Sequence, residues 1–185
     1  MGNLTDHFAS GGGGGSNVLE ILSAPCDGRD VTVSSGTYTL QNPTNWNNPT
    51  TSYANYNGSV INYLPPEGTT KVIYEFNHHT GFRDTHSIIH FKLYIAGAEV
   101  TAARCTSGGY YGPDTTHNFR WTFEIGDTAD AANGVVTSWD TAKELKWQHR
   151  NYGTSNEGYT NGKRYFDGGG SVYFTRPVLT ITALS

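Results

Sequence analysis

Histidine is the residue type whose spacing in this chain first suggests chemistry. His78 and His79 are adjacent, and His86 and His90 lie four residues apart in the next segment. Imidazole nitrogens commonly bind divalent metals, so a turn that brought His78 beside His86 or His90 would create a metal site. The alternative is that these imidazoles hydrogen-bond to backbone carbonyls or tyrosine hydroxyls at a sheet surface or a subunit contact. No bound cofactor is predicted.

Sequence motifs of enzymes are sparse. The chain lacks Gly-x-Ser-x-Gly, a phosphate-binding loop, His-Glu-x-x-His and Cys-x-x-Cys. Any two of five carboxylates in or near expected loops could face a sugar as general acid and base, although nothing in their spacing requires it. These carboxylates are Asp84, Asp114, Asp140, Glu157 and Asp167. The sequence therefore predicts a protein that is not an enzyme.

Aromatic and amide side chains concentrate in three expected loops. Tyr and Trp offer an apolar ring with a hydroxyl or N–H group at low entropic cost, and Asn offers a donor together with an acceptor. That combination suits contact with a carbohydrate or a protein surface. The candidate contact residues are Trp46, Tyr53, Tyr56, Tyr110, Tyr111, Tyr159 and Tyr165. The alternative is that these rings pack the loops onto the domain or against neighbouring subunits.

Apolar residues recur at every second position in segments 72–77, 87–95, 119–125 and 179–183. This period is typical of strands with one buried face. Ala96 and Gly97 supply a tight turn, which predicts an antiparallel hairpin between the second of these strands and residues 99–103. With nine or ten strands and no long helix, we expect an all-β fold of two antiparallel sheets packed as a jelly-roll sandwich.

Glycine-rich and amide-rich stretches separate these strands. Residues 41–57, 107–117 and 151–170 are expected to be long surface loops, which are often functional. Near the N-terminus, a peptide with Leu4 and Phe8 precedes five consecutive glycines, a composition typical of a flexible tether. We therefore expect residues 1–16 to form an extended tether before one domain at 17–185. The peptide is either a disordered leader or an anchor that docks on a partner through Leu4 and Phe8.

Charge and hydropathy narrow the class of partner. A net charge of −4 at pH 7 argues against a surface for nucleic acid. The chain contains no apolar run of about 18 residues and no basic-then-apolar leader, which predicts no membrane insertion and cytoplasmic synthesis without a signal peptide. Cys26 and Cys105 match no metal-site spacing, and a reducing compartment favours free thiols.

Several segments together resemble virion proteins of tailed bacteriophages, chiefly from marine and cyanobacterial viruses. They are MGNLTDHFASGGGGGSNVLE, CDGRDVTVSSGTYTLQN, IHFKLYIAGAEVTAAR, KELKWQHRNYGTSNEGY, YFDGGG and PVLTITAL. The segment HFKLYIAGAEV is also similar to the core hairpin of tumour-necrosis-factor-like jelly rolls that head fibre proteins. The resemblance implies a homotrimer on the virion surface: a spike, a fibre head or a capsid decoration protein, attached to capsid or tail proteins by its N-terminal peptide.

The leading hypothesis is thus a non-enzymatic virion structural protein whose outward loops contact a glycan of the host surface. Several linked copies would give weak loop contacts a higher avidity. A free carbohydrate-binding module is the alternative. A third hypothesis is an enzyme with a histidine–metal site or a carboxylate pair.

Overall fold

A computed structural model gives the fold, and it describes residues 17–82, 86–110 (except the side chain of Tyr110), 114–126, 128–164, 167 and 169–185. Those residues form fifteen strands and, at Ala131–Asn133, a 3-10 turn. The strands are β1 (Val18–Pro25), β2 (Asp30–Val33), β3 (Gly36–Thr39), β4 (Ala54–Asn55), β5 (Ile61–Tyr63), β6 (Lys71–Phe82), β7 (His86–Ile95), β8 (Ala98–Tyr110), β9 (Thr115–Ile125), β10 (Val135–Val136), β11 (Lys143–Asn151), β12 (Gly158–Thr160), β13 (Gly162–Arg164), β14 (Val172–Phe174) and β15 (Val178–Leu184).

Two sheets pack face to face. Sheet 1 has the order β1-β15-β6-β9-β10, and β12 also pairs with β6. Sheet 2 has the order β4-β11-β7-β8, and β5 also pairs with β11. The pairs β2-β3 and β13-β14 form small separate hairpins.

The strand order is that of a jelly roll. Eight principal strands carry the topology, and in chain order they are β1, β5, β6, β7, β8, β9, β11 and β15. In sheet 1 the neighbours are β1, β15, β6 and β9, which are the first, eighth, third and sixth of these strands. In sheet 2 the neighbours are β5, β11, β7 and β8, which are the second, seventh, fourth and fifth. This double Greek-key order confirms the predicted jelly-roll sandwich.

The predicted hairpin is confirmed as β7-β8. Ile95 pairs with Ala98 across a two-residue turn. Ala96 has φ 48° and Gly97 has φ 82°, so both central residues adopt the positive φ of a type I′ turn. The turn therefore matches the right-handed twist of the strands that it joins.

The core lies between the sheets, where strand alternation buries every second side chain. Val72, Tyr74 and Phe76 of β6 are fully buried, as their spacing predicts. On β9, Phe123 is fully buried, whereas Phe119 and Trp121 are only partly buried. The reason is position: β9 pairs with β10 over two residues only and so lies close to the rim of sheet 1.

All three predicted loops contain strand residues, and the loop at 41–57 includes β4. Residues 107–110 continue β8 and pair with β7, and residues 158–164 include β12 and β13. Glycine often marks a turn in a sequence, but Gly108 lies within a strand that packs closely against β7. A Cβ at this position would lie 2.6 Å from the backbone oxygen of Ser87. The prediction of a loop over residues 107–110 was therefore wrong.

Cys26 and Cys105 are both free thiols in the structure. Cys26 is buried, and its thiol donates to the carbonyl of Gly58 at 3.2 Å. Among the described residues, no helix is long and apolar enough to cross a membrane.

Candidate functional site

The histidines predicted as metal ligands lie in different sheets. His78 on β6 is buried in the core, whereas His90 on β7 is half-buried on the outward face of sheet 2, with its Nδ1 2.8 Å from Thr106 Oγ1. The prediction that a turn pairs His78 with His86 or His90 was wrong, because β6 pairs with β9 and not with β7. Within the described part of the chain, no group of three His, Cys, Asp or Glu residues is placed to hold a metal ion.

His78 belongs instead to a histidine core, formed with His117, His149 and Tyr56. The rings of His78 and His117 stack with centroids 5.2 Å apart, and Tyr56 stacks on His149 at 4.5 Å. Burial lowers the pKa of His78 well below its usual value, and burial lowers the pKa of His149 to about 4. Both imidazoles are therefore neutral at pH 7, and the cluster joins β6 and β9 of sheet 1 to β11 of sheet 2.

Two tyrosines predicted to contact a ligand are in the interior. Tyr56 has no exposed surface, because β4 pairs with β11 and the backbone N–H of Tyr56 donates to Trp147 at 2.8 Å, which turns the ring inwards. Tyr159 is 1% exposed, and its hydroxyl donates to Asp114 at 2.5 Å. The ligand-contact prediction was therefore wrong for both residues, whose rings pack loops onto the sandwich.

The other predicted contact residues have mixed positions. Tyr53 is half-buried on sheet 2, with Lys92 Nζ 4.6 Å and Arg150 Cζ 5.3 Å from its ring centroid. Trp46 is half-buried beside a cleft described below. The remaining candidates lie outside the described residues and stay predictions: the side chain of Tyr110, Tyr111, Tyr165, Leu4 and Phe8.

Trp46 borders a polar cleft of about 330 Å³, here called the amide cleft. Five of its lining residues carry amide side chains, and none of the nine is charged. The lining residues are Gln41, Asn42, Pro43, Thr44, Asn45, Trp46, Asn47, Asn57 and Gly58. An indole ring among several amides is the combination predicted for the loop at 41–57.

Hydrogen bonds fix the two walls of the amide cleft. Gln41 Oε1 accepts from the backbone N–H groups of Gly58 at 2.8 Å and Val60 at 3.1 Å, which ties one wall to the other. Arg176 donates to Asn42 Oδ1 at 3.0 Å and to the carbonyl of Pro43 at 3.4 Å. The loop is therefore held from both sides despite its lack of regular structure.

The floor of the cleft is tied to the sandwich in the same way. Asn47 exchanges two backbone hydrogen bonds with Thr160, at 2.9 and 2.8 Å, and Thr160 pairs with Thr80 of β6. Asn161 Nδ2 donates to the carbonyl of Asn57 at 2.8 Å. The sequence placed function in this loop, but it could not show that residues 41–47 would face 57–58, because long-range bonds to β12 decide that.

The outward face of sheet 1 is the second notable surface. A cross-strand row on this face runs Ile21–Thr182–Ile73–Thr122. Around it lies an apolar face, defined here by Val18, Leu19, Ile21, Ile73, Val178 and Leu184. Val18 is 58% exposed and Ile21 is 56% exposed. Sequence alternation predicted the buried side of these strands and gave no indication of this second, exposed apolar side.

The outward face of sheet 2 differs in chemistry. Glu99 accepts from Lys92 at 3.0 Å and from Arg104 at 2.5 Å, and Lys146 pairs with Glu144 at 2.6 Å. Such ion pairs are typical of a solvated surface.

No protein-family model matches the chain, and no curated protein matches it.

Proposed function

We propose that this chain is a non-enzymatic structural protein of a virion surface, a spike or fibre head or a capsid decoration protein, in which three copies pack through the apolar face of sheet 1. The observation that carries this proposal is the cluster of exposed aliphatic side chains on β1 and β15, at one edge of the outward face of sheet 1. The jelly-roll fold and the sequence resemblance to phage virion proteins support it.

Packing against another copy would remove exposed apolar side chains from water. Val18 and Ile21 are more than half exposed in the single chain, and burying an aliphatic side chain of this size is worth about 1.5–3 kcal/mol. Two ion pairs within the face, Lys71–Glu124 at 3.3 Å and Glu75–Arg120 at 3.9 Å, balance its charge. These four charged residues therefore add no net charge to the face.

The two ends of the sandwich suit attachment at one end and recognition at the other. Val18 pairs with Leu184, which pairs with Lys71 at the start of β6; this is the tether end. The amide cleft adjoins Thr80 near the finish of β6, at the loop end. Lys71 and Thr80 are about 30 Å apart at the rise of a strand. A tether at 1–16 would thus enter opposite the cleft and leave it facing outward.

Deletion of residues 1–15 tests the attachment. We expect the truncated protein to fold and to keep its oligomeric mass, but not to join particles when it is supplied to assembling virions. The double variant Leu4→Ala/Phe8→Ala should behave similarly, while Asn3→Ala/Thr5→Ala should still be incorporated. Immunolabelling of purified particles measures the outcome, and incorporation of the truncated protein at the wild-type level would refute the anchor.

A free carbohydrate-binding module is the second candidate, and the amide cleft favours it. This candidate predicts glycan binding by a monomeric domain that never joins particles. The virion proposal predicts particle-bound oligomers, so the mass in solution and the immunolabelling distinguish the two.

A further inference from the structure

The side chains of the amide cleft have unused hydrogen-bonding capacity. Gln41 uses Oε1 to hold the opposite wall, and Asn45 uses Oδ1 to accept from the backbone N–H of Trp46 at 2.9 Å. Within the described residues, neither amide nitrogen has a hydrogen-bond partner, and the side chain of Asn57 has none at either atom. The cleft therefore presents donors and acceptors that at present face water.

Charge excludes several kinds of ligand. No lining residue of the cleft is charged, so a phosphate, a sulfate or a carboxylate would find no charged partner among those residues. Arg176 is exposed beside the cleft, and the nitrogen that bonds Asn42 also donates to the carbonyl of Cys26 at 2.7 Å. Its guanidinium lies 5.4 Å from the ring centroid of Phe174. These contacts hold the cation beside the cleft. A ligand with many neutral hydroxyl groups fits this lining best.

Trp46 gives the cleft an aromatic wall in a fixed place. Its ring lies edge-on to Tyr159 with centroids 6.0 Å apart. Gly162 passes beneath it, and a Cβ there would lie 2.9 Å from the Cβ of Trp46. Since the ring is already packed on one side, its position does not have to be fixed when a ligand binds, which lowers the entropic cost of binding.

The geometry points to the amide cleft as a binding site for a neutral sugar unit of a glycan, with Trp46 packing against the C–H face of the ring and Asn45, Asn57 and Gln41 bonding its hydroxyl groups. This inference deepens the recognition part of the proposed function and rests on that function for the source of the glycan. The volume of about 330 Å³ is at the low end of small-molecule sites, which span about 300–1,000 Å³. One or two sugar units are therefore bound in each copy, and several copies supply the avidity.

Saturation-transfer NMR on the full chain tests this site. The neutral probes are the methyl glycosides of glucose, galactose and mannose together with N-acetylglucosamine, and the acidic probes are sialyllactose and glucose 6-phosphate. We expect transfer to at least one neutral probe and none to the acidic ones. Titration calorimetry with the best neutral probe then gives the dissociation constant that the variants are compared with.

Three variants locate the site. Trp46→Ala should weaken binding at least about tenfold, the equivalent of one aromatic contact. Asn57→Ala should weaken it several-fold without disturbing the fold, because Asn57 is exposed and only its backbone carbonyl is bonded within the domain. The matched control is Tyr152→Ala, an aromatic 59% exposed outside the cleft, which should bind as the wild type does.

Any of three results would overturn the inference. They are no transfer to any neutral probe, a preference for the acidic probes, and wild-type affinity in both single variants, Asn57→Ala and Trp46→Ala. A far-UV and near-UV dichroism spectrum shows whether Trp46→Ala is folded. Mass and particle incorporation are measured on the same samples. If the protein forms particle-bound oligomers but binds no glycan, the glycan site in the cleft is refuted and the virion function is not. If the protein binds glycan as a monomer that joins no particle, the virion function is refuted and the glycan site is not.

Discussion

Glu20 lies on β1 with 6% of its surface exposed, and its carboxylate accepts four hydrogen bonds. The donors are Ser34 Oγ at 2.6 Å, Ser35 N at 2.7 Å, Ser35 Oγ at 2.7 Å and Tyr63 Oη at 2.8 Å. Burial raises the pKa of Glu20, but these hydrogen bonds outweigh burial, so its pKa lies below the usual value. One carboxylate thus joins β1, the β2-β3 hairpin and β5.

Glu20→Gln should lower the free energy of unfolding at pH 7 by about 2–3 kcal/mol. The hydrogen bonds to a buried carboxylate are replaced by weaker bonds to a neutral amide, and one of the present donors then faces the N–H group of the glutamine side chain. Glu67→Gln, at an exposed turn, is the control and should change little. Urea unfolding measures both. Because the folded pKa of Glu20 is lowered, its contribution is present above pH 4.5 and is lost as the pH falls below that value. Equal stability of the two variants at pH 7 would show that the network contributes little.

The histidine core makes the free energy of unfolding depend on pH in a range above that of Glu20. In the unfolded chain His149 takes up a proton as the pH falls below 6.5, whereas burial keeps it neutral in the fold down to about pH 4. The unfolded state therefore binds more protons, and the free energy of unfolding falls between about pH 6.5 and pH 4. His78 acts in the same direction, because burial lowers its pKa as well.

His149→Phe should remove part of this dependence. Neither ring nitrogen of His149 has a hydrogen-bond partner among the described residues, so an apolar ring of similar shape leaves no polar atom unpaired. We expect the variant to be at least as stable as the wild type at pH 7.5 and up to about 3 kcal/mol more stable than it at pH 4. Thermal unfolding at pH 7.5, 5.5 and 4 measures the change. A parallel fall with pH in both proteins would contradict the role of His149.

At the scale of elements, glycine decides whether the 41–58 loop can lie against the sandwich. Gly58 has φ 98°, and a Cβ there would lie 2.7 Å from Cγ of Pro177. Gly68 also has a positive φ, 82°, but no atom lies within 4 Å of the Cβ position. Substitution of Gly68 therefore measures the cost of the positive φ alone, and substitution of Gly58 measures that cost together with the cost of a steric clash.

Gly68→Ala should destabilise the domain by about 1 kcal/mol, the cost of a left-handed conformation for an ordinary residue. Gly58→Ala should cost about 2–4 kcal/mol, because Pro177 or the loop must also move. Urea unfolding gives both values. Because Gly58 lines the amide cleft, weaker glycan binding should accompany its greater loss of stability. Equal losses in the two variants would show that the loop accommodates the methyl group.

Local pattern predicted the strands well and the loops poorly. Alternation correctly assigned the buried faces of β6, β7 and β15, because period-two patterning is a property of each strand alone. It could not assign strands to sheets, so His78 and His90 were paired wrongly. Tyr56 and Trp46 are similar residues in one loop, yet one is buried and the other borders a cleft. Long-range pairing with β11 and β12 makes that difference, and no local signal reports it.

At the scale of the whole molecule, exposed aliphatic side chains cluster on β1 and β15 of sheet 1, whereas the outward face of sheet 2 carries ion pairs of Lys92, Arg104 and Lys146 with glutamates. Val18→Glu/Ile21→Glu should dissociate the oligomer without unfolding the domain, because both side chains are more than half exposed in the single chain. The matched control is Asn55→Glu/Thr101→Glu on sheet 2, where both residues are also exposed. Circular dichroism verifies folding, and size-exclusion chromatography compares the two variants. Dissociation by the control alone would place the interface on sheet 2.

The mass of the wild-type protein in solution tests the central claim most directly. Packing of copies through the apolar face predicts, by light scattering across the micromolar range, the mass of three 20.2 kDa chains. A single 20.2 kDa chain at every concentration would contradict it.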